Sequence, residues 1–222
     1  MNNTNSNTID ITALEHFAFA DVAAKGKGRV LKKQSARQSI VVIAADHLSL
    51  PRIFVRFAWA GKLATTQFRD KILKTAVDYK PRRFGIEANG MQILFGDLVR
   101  DRAREQGIAS RFVPIWVPTS VDKDYRIRTL LEPVINEGRL FVPENLTDLR
   151  IELRGFPTAA TKDVIDALAS AINLVPKRSS AQDKSDEIAE LASYLRKAGM
   201  APHIIEQRIA VAYQEAALTQ AA

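Results

Sequence analysis

The 222-residue chain has no cysteine, which excludes disulfides, thiolate metal sites and a cysteine nucleophile. Its three histidines, His16, His47 and His203, stand at no metal-ligand spacing from one another. Its longest unbroken apolar run, Ile40 to Ala45, is far short of the roughly 20 residues that a bilayer crossing needs. Met1 to Asn7 offers neither a basic start nor an apolar stretch, so it reads as no signal peptide, and export and membrane anchoring are not expected. No G-x-x-x-x-G-K-[ST] loop occurs, and Gly26-Lys27-Gly28 is too short and misplaced to cradle a nucleotide phosphate. From Val22 to Arg37 there is no acidic residue.

That acid-free stretch carries Lys25, Lys27, Arg29, Lys32, Lys33 and Arg37. The whole chain holds 32 Lys and Arg against 25 Asp and Glu, a net charge of +7. A basic face of this kind invites a polyanion, and nucleic acid is the usual one. The balance of 46% hydrophobic and 26% charged residues suits a folded domain rather than a disordered chain.

Three segments are read along the chain. Residues 1–12 are polar and Asn-rich, a flexible N-terminal arm. Residues 13–176 alternate strand and helix patterns, which predicts one α/β domain. Residues 177–222 open on a linker, Pro176 to Gln182, and continue as a helical hairpin marked by Ile188, Leu191 and Leu195, then Ile205, Ile209 and Ala212. Strands are predicted at His16–Asp21, Ser39–Ala45, Ile53–Trp59, Arg83–Glu87 and Arg111–Val117, from β-branched runs and alternation. Helices are predicted at Thr66–Tyr79, Met91–Gln106, Asp122–Asn136 and Thr161–Leu174, from apolar positions at helical spacing. Three antiparallel strands followed by alternating helix and strand is the order of a ribonuclease-H-like mixed sheet flanked by helices. In that order the first strand is central, the fourth lies beside it in parallel, and their carboxyl ends open on one crevice.

Three carboxylates fall at the points this order singles out. Asp21 ends the first strand, Glu87 ends the fourth, and Asp163 opens the last helix of the domain. Crowded carboxylates raise one another's pKa, and a divalent cation with hard oxygen ligands removes the conflict. Each acid also has an ordinary reading: Asp21 as a turn residue, Asp163 as a first-turn acid complementing the helix dipole, and Glu87 as a strand residue that burial would make costly unless paired. Together they read as a metal site. Asp46 also ends a strand, but it leads into the Pro-containing turn His47 to Pro51, so Asp21 is preferred. Asp166 lies one helical turn beyond Asp163 and can face the same pocket. Trp59 and Trp116 read as core rather than as stacking platforms for bases.

These residues resemble the C-terminal nuclease domain of the tailed-phage terminase large subunit, over about Phe17 to Val175. Asp21-Val22-Ala23 is similar to that family's opening Asp motif, and Phe84-Gly85-Ile86-Glu87-Ala88-Asn89-Gly90 to its Glu motif, the most specific match. Lys123-Asp124-Tyr125-Arg126, Glu137-Gly138-Arg139-Leu140 and Glu152-Leu153-Arg154-Gly155-Phe156-Pro157 follow its next segments in order. Lys162-Asp163-Val164-Ile165-Asp166-Ala167-Leu168 resembles its closing Asp-Asp-x-x-Asp-Ala pattern, with Lys162 in place of the first Asp. That departure leaves open whether Asp163 alone, or Asp163 with Asp166, completes the site.

The resemblance implies a metal-dependent endonuclease that cuts concatemeric viral double-stranded DNA during genome packaging in the cytoplasm of the infected host. Asp21, Glu87 and Asp163, with Asp166, would hold two Mg²⁺ or Mn²⁺ ions. Lys25, Lys27, Arg29, Lys32 and Lys33 would track the DNA backbone, with Lys123 and Arg126 at the pocket rim. The family's ATPase half is missing, so the implied partners are a terminase ATPase elsewhere, the small terminase subunit and the portal. The C-terminal hairpin reads as a cap on the domain, with a docking element for a packaging protein as the alternative. A junction-resolving or repair endonuclease of the same fold and a non-catalytic DNA-binding subunit are the competing readings.

Overall fold

The computed structural model describes residues 9–22, 37–88, 92–115, 121–176 and 200–220, with Ile188, Ala192 and Arg196 between the last two segments. The chain divides into two compact units, Met1–Pro176 and Lys177–Ala222.

The first unit is built on a six-stranded sheet. Its strands are β1 (Glu15–Asp21), β2 (Gln38–Ala45), β3 (Ile53–Gly61), β4 (Arg83–Glu87), β5 (Phe112–Ile115) and β6 (Leu140–Phe141), in the order β5-β4-β1-β2-β3-β6. β1 and β2 pair antiparallel, as do β2 and β3, whereas β4 lies parallel to β1 and β5 parallel to β4. The helices are α1 (Thr65–Tyr79), α2 (Gln92–Glu105), α3 (Lys123–Asn136), α4 (Thr147–Gly155) and α5 (Asp163–Ile172).

The two faces of the sheet are sorted by strand parity, because successive side chains point to opposite sides. On β1, Phe17 and Phe19 join the core formed by α3, α4 and α5, while Ala18 and Ala20 join the core formed by α1 and α2. On β4, Phe84 and Ile86 face the α1–α2 side. Gly85 therefore faces the other way, where a Cβ would meet Phe19 and Leu174. Parity breaks once. The β2–β3 register slips between Val42 and Ile43, leaving Arg56 as an extra residue on β3. Ile53 and Val55 thus face α5, whereas Phe57 and Trp59 turn to α1; a bulge swaps faces in this way.

Sequence expectation and structure agree on the α/β class, the central β1 and its parallel β4 neighbour. Two elements were not anticipated. β6 is a two-residue strand parallel to β3, too short to carry an alternation. Helix α4 carries an acid, Glu152, on the same face as Leu149 and buries it to 2% exposure, which interrupts the apolar stripe that would reveal a helix. Gly107 and Gly138, just past the ends of α2 and α3, both adopt positive φ, 69° and 66°, a conformation glycine takes at no steric cost.

In the second unit, α6 (Pro202–Gln220) is the described helix. Before it, Ile188, Ala192 and Arg196 are described, and each is helical. No helix among the described residues is long and apolar enough to cross a membrane.

Candidate active site

Strand parity delivers two acids to one place. Asp21 and Glu87 follow the paired residues Ala20 and Ile86 at the ends of adjacent parallel strands. Both have the parity of Phe19 and Gly85, so both face the α3–α5 side. Their carboxyls are in hydrogen-bond contact. Burial first, then Glu87, then the charge of Asp166 push the Asp21 carboxyl well above its usual value, against a smaller opposing pull from Lys123. This is the behaviour of crowded acids in a partly dry crevice.

Antiparallel β1–β2–β3 joined to parallel β1–β4–β5, with acids at the ends of the central pair, decides the architecture. The chain has a ribonuclease-H-like fold. No family model matches its sequence, and no curated protein does. Among solved structures, the ribonuclease-H-like sheet aligns with the large terminase nuclease of thermophilic phage G20c at a TM-score of 0.48 and 15% identity, over 74% of this chain and 84% of that one. The P22 large terminase nuclease domain aligns at 0.46 and 13% identity, over 70% and 78%. Thermus thermophilus RuvC aligns at 0.39 and 12% identity, over 70% and 90%.

Helix α5 supplies the other acids. It crosses the β1–β2 side of the sheet with Val164, Ile165, Leu168 and Ala171 buried. Asp163 and Asp166 occupy its first turn. Asp166 is the one whose charge is felt by Asp21. It pairs with Lys123 at 3.0 Å and with the Arg126 guanidinium. Asp163 accepts from Arg37 Nε at 3.2 Å, and Lys123 lies 3.9 Å away. The main-chain carbonyl of Asp163 accepts from Ser39 Oγ at 2.9 Å, and Ser39 is the register partner of Asp21.

Lys123 and Arg126 therefore lie among the acids. Asp122 caps their helix by accepting from the Tyr125 N–H at 2.9 Å. Burial lowers the Lys123 pKa, but Asp166, Asp21 and Asp163 outweigh it, and the net shift is upward. Any contact of these two cations with a phosphate would share or give up a carboxylate partner. Arg126 Nε is buried with no hydrogen-bond partner among the described residues. Lys162 turns instead to Asp124, donating to both carboxylate oxygens at 2.6 Å.

The remaining expected site residues separate cleanly. Lys25, Lys27, Arg29, Lys32 and Lys33 lie outside the described residues, as do Asn89, Gly90 and Trp116. Asp46 is a turn residue: it accepts from the Arg52 N–H at 3.0 Å and from Arg52 Nε at 2.6 Å. Sequence reasoning missed Arg37 and Glu152 as members of the site. Glu152 left one signal, an acid three residues after Leu149 on what is the buried face of α4.

A donor set of carboxylate oxygens without sulfur or imidazole suits Mg²⁺ or Mn²⁺, and the upward push on Asp21 from burial, Glu87 and Asp166 is one that a cation would relieve. The types of residue fit such an ion. Among the described residues, however, no three acids are gathered tightly enough to hold one as they stand, because Asp163 and Asp166 are drawn to Arg37, Lys123 and Arg126.

Proposed function

We propose that the chain is a metal-dependent DNA endonuclease, and that it is the cutting part of a viral genome-packaging machine. The observation that carries this reading is the Asp21–Glu87 pair, brought side by side at the ends of the adjacent parallel strands β1 and β4 with the charge of Asp166 close enough to raise Asp21. Two carboxyls placed this closely are costly to keep without a cation, and no disulfide, thiol or histidine chemistry competes for the crevice.

On this reading Asp21, Glu87 and Asp163, with Asp166, hold two Mg²⁺ or Mn²⁺ ions. Bound there, the ions supply a low-pKa water as nucleophile and stabilise the departing 3′ oxygen of a phosphodiester. The chain's own residues do the rest. Asp21 and Glu87 are fixed by strand pairing and Asp163 and Asp166 by α5, so ligand spacing depends on how α5 sits on β1 and β2. Asp163 and Asp166 reach the crevice by relaxing their hold on Arg37 and Arg126. Lys123 already places one positive charge among the acids. The Lys25–Lys33 stretch grips the DNA backbone and carries no sequence code.

The resemblance of the Glu87 and Asp163 motifs to the terminase nuclease domain supports viral double-stranded DNA as substrate, and a terminase ATPase, a small terminase subunit and the portal as partners, in the host cytoplasm. Supercoiled plasmid with Mn²⁺ tests the reading. Wild type nicks it, while Asp21→Asn and Glu87→Gln each lose more than about a hundredfold in rate, since even residues that merely support metal ligands cost 10–100-fold. Undiminished nicking by both variants would refute the site. Branched DNA cut far faster than linear duplex would instead identify a junction-resolving enzyme.

A further inference from the structure

Helix α5 carries two of the four acids, yet it does not cap itself. Lys162, at its N-cap position, makes no side-chain cap hydrogen bond. The first N–H groups of a helix need partners, and here they come from another helix. Glu152 of α4, 2% exposed, accepts from the N–H groups of Val164 and Ile165 with Oε2, both at 2.9 Å. Its other oxygen, Oε1, accepts from Arg37 Nη2 and from Thr161 Oγ1, both at 2.8 Å.

Arg37 then passes the constraint on. The same guanidinium donates from Nε to Asp163 Oδ2 at 3.2 Å and from Nη2 to Thr161 Oγ1 at 2.8 Å. Arg37 immediately precedes β2, two residues before Ser39, which binds the Asp163 carbonyl and pairs with Asp21. One buried carboxylate thus ties the first turn of α5 to the strand that flanks Asp21. Burying an acid is costly unless its lone pairs are met, and all four donors converge on it here.

We infer that Glu152 is a positioning residue of the acidic site: through the α5 N–H groups and through Arg37 it sets where Asp163 and Asp166 stand relative to Asp21 and Glu87. This rests on the metal reading above for its consequence, but not for its geometry. Glu152→Gln tests it, because an amide offers one accepting oxygen. Either Val164 and Ile165 or Arg37 and Thr161 then face an NH₂ group that cannot accept.

The metal readout is Mn²⁺ affinity of the DNA-free protein, followed by the loss of the free-ion electron spin resonance signal. Glu152→Gln is expected to bind Mn²⁺ about 10–100-fold more weakly, and nicking is restored when Mn²⁺ is raised by the same factor. Leu149→Val, a core change on the same helix, serves as the stability control and leaves the affinity unchanged. Arg37→Lys retains the charge but cannot reach Glu152, Thr161 and Asp163 together, and it weakens Mn²⁺ binding even if Glu152→Gln fails to fold. Wild-type affinity in both Glu152→Gln and Arg37→Lys, or an equal loss in Leu149→Val, overturns the proposal. If wild type itself binds no Mn²⁺, the metal reading falls. Amide hydrogen exchange without metal then decides the positioning claim: Val164 and Ile165 exchange at least tenfold faster in Glu152→Gln if it is right, and at the wild-type rate if it is wrong.

Discussion

Gly85 offers a sharp test of how the fold presents its acids. It lies on β4 two residues before Glu87, on the same face. A Cβ built there would stand 2.7 Å from Phe19 Cδ2, 3.0 Å from Ile115 Cγ1 and 3.1 Å from Leu174 Cδ1. Phe19 and Leu174 are core side chains, 2% and 6% exposed, so neither can swing away into solvent. Overpacking a core of this kind costs about 1–3 kcal/mol. Replacing glycine in a strand returns about 0.5–1 kcal/mol of backbone entropy. At the midpoints of these two ranges Gly85→Ala loses about 1.25 kcal/mol, and at roughly 2–4 °C per kcal/mol for a domain of this size the melting temperature should fall by about 2.5–5 °C. Circular dichroism melts and urea titrations measure it, with an unchanged m-value showing that the unfolded state is not involved. Phe19→Leu opens the same spot, so the double variant should be less destabilised than the sum of the singles, by about 0.5–3 kcal/mol. Because β4 must shift to admit the methyl, Mn²⁺-dependent nicking should fall by more than the unfolded fraction explains. A wild-type melting temperature in Gly85→Ala, or strict additivity in the cycle, would refute the packing argument and the parity assignment behind it.

The remaining expectations concern charge. Asp21 is raised by burial and by Glu87, so its contribution to stability is present at low pH and lost as pH climbs from the ordinary Asp value near 3.8 through its higher folded value; Asp21→Asn should thus gain in melting temperature over wild type as pH rises from 4 to 8, and a pH-independent gap would contradict this. For Asp46 the signs reverse: burial pushes its carboxyl up, but the Arg52 side chain and the Arg52 and Leu48 N–H groups pull it below its usual value. Its stabilisation is lost as pH falls, and Asp46→Asn should cost about 1 kcal/mol while leaving nicking at the wild-type rate; loss of nicking would transfer the first ligand's role to Asp46. Duplex binding should weaken steeply with salt, and Lys27→Ala with Lys33→Ala should shallow the slope of log K against log salt by about two, an unaltered slope placing the DNA elsewhere.

How far the sequence reaches depends on what each feature needs. β1 to β4 were legible because β-branched runs and alternation are local properties, and the positions of Asp21 and Glu87 followed from strand order alone. α4 and β6 were not. β6 has two residues, and α4 buries an acid where an apolar residue would have announced a helix. The bulge at Arg56 was equally hidden, since Ile53 to Trp59 alternates cleanly on paper and only pairing with β2 reveals that its faces exchange midway.

The site was legible in its acids and opaque in its cations, and the reason is physical. A carboxylate at a strand end is placed by backbone periodicity, which sequence carries. A long side chain such as Arg37, Lys123 or Arg126 chooses its partner after the fold forms, among acids that are distant in sequence: 126 residues separate Arg37 from Asp163. The resemblance put Lys123 and Arg126 at the pocket rim and said nothing of Arg37; the structure sets all three against Asp163, Asp166 and Glu152. Asp163 and Asp166 are answered by cations of the crevice itself, so any ligand of these acids has to compete with those pairs. At the ends of β1 and β4 the balance differs: burial, Glu87 and Asp166 together raise the Asp21 carboxyl, against a smaller opposing pull from Lys123.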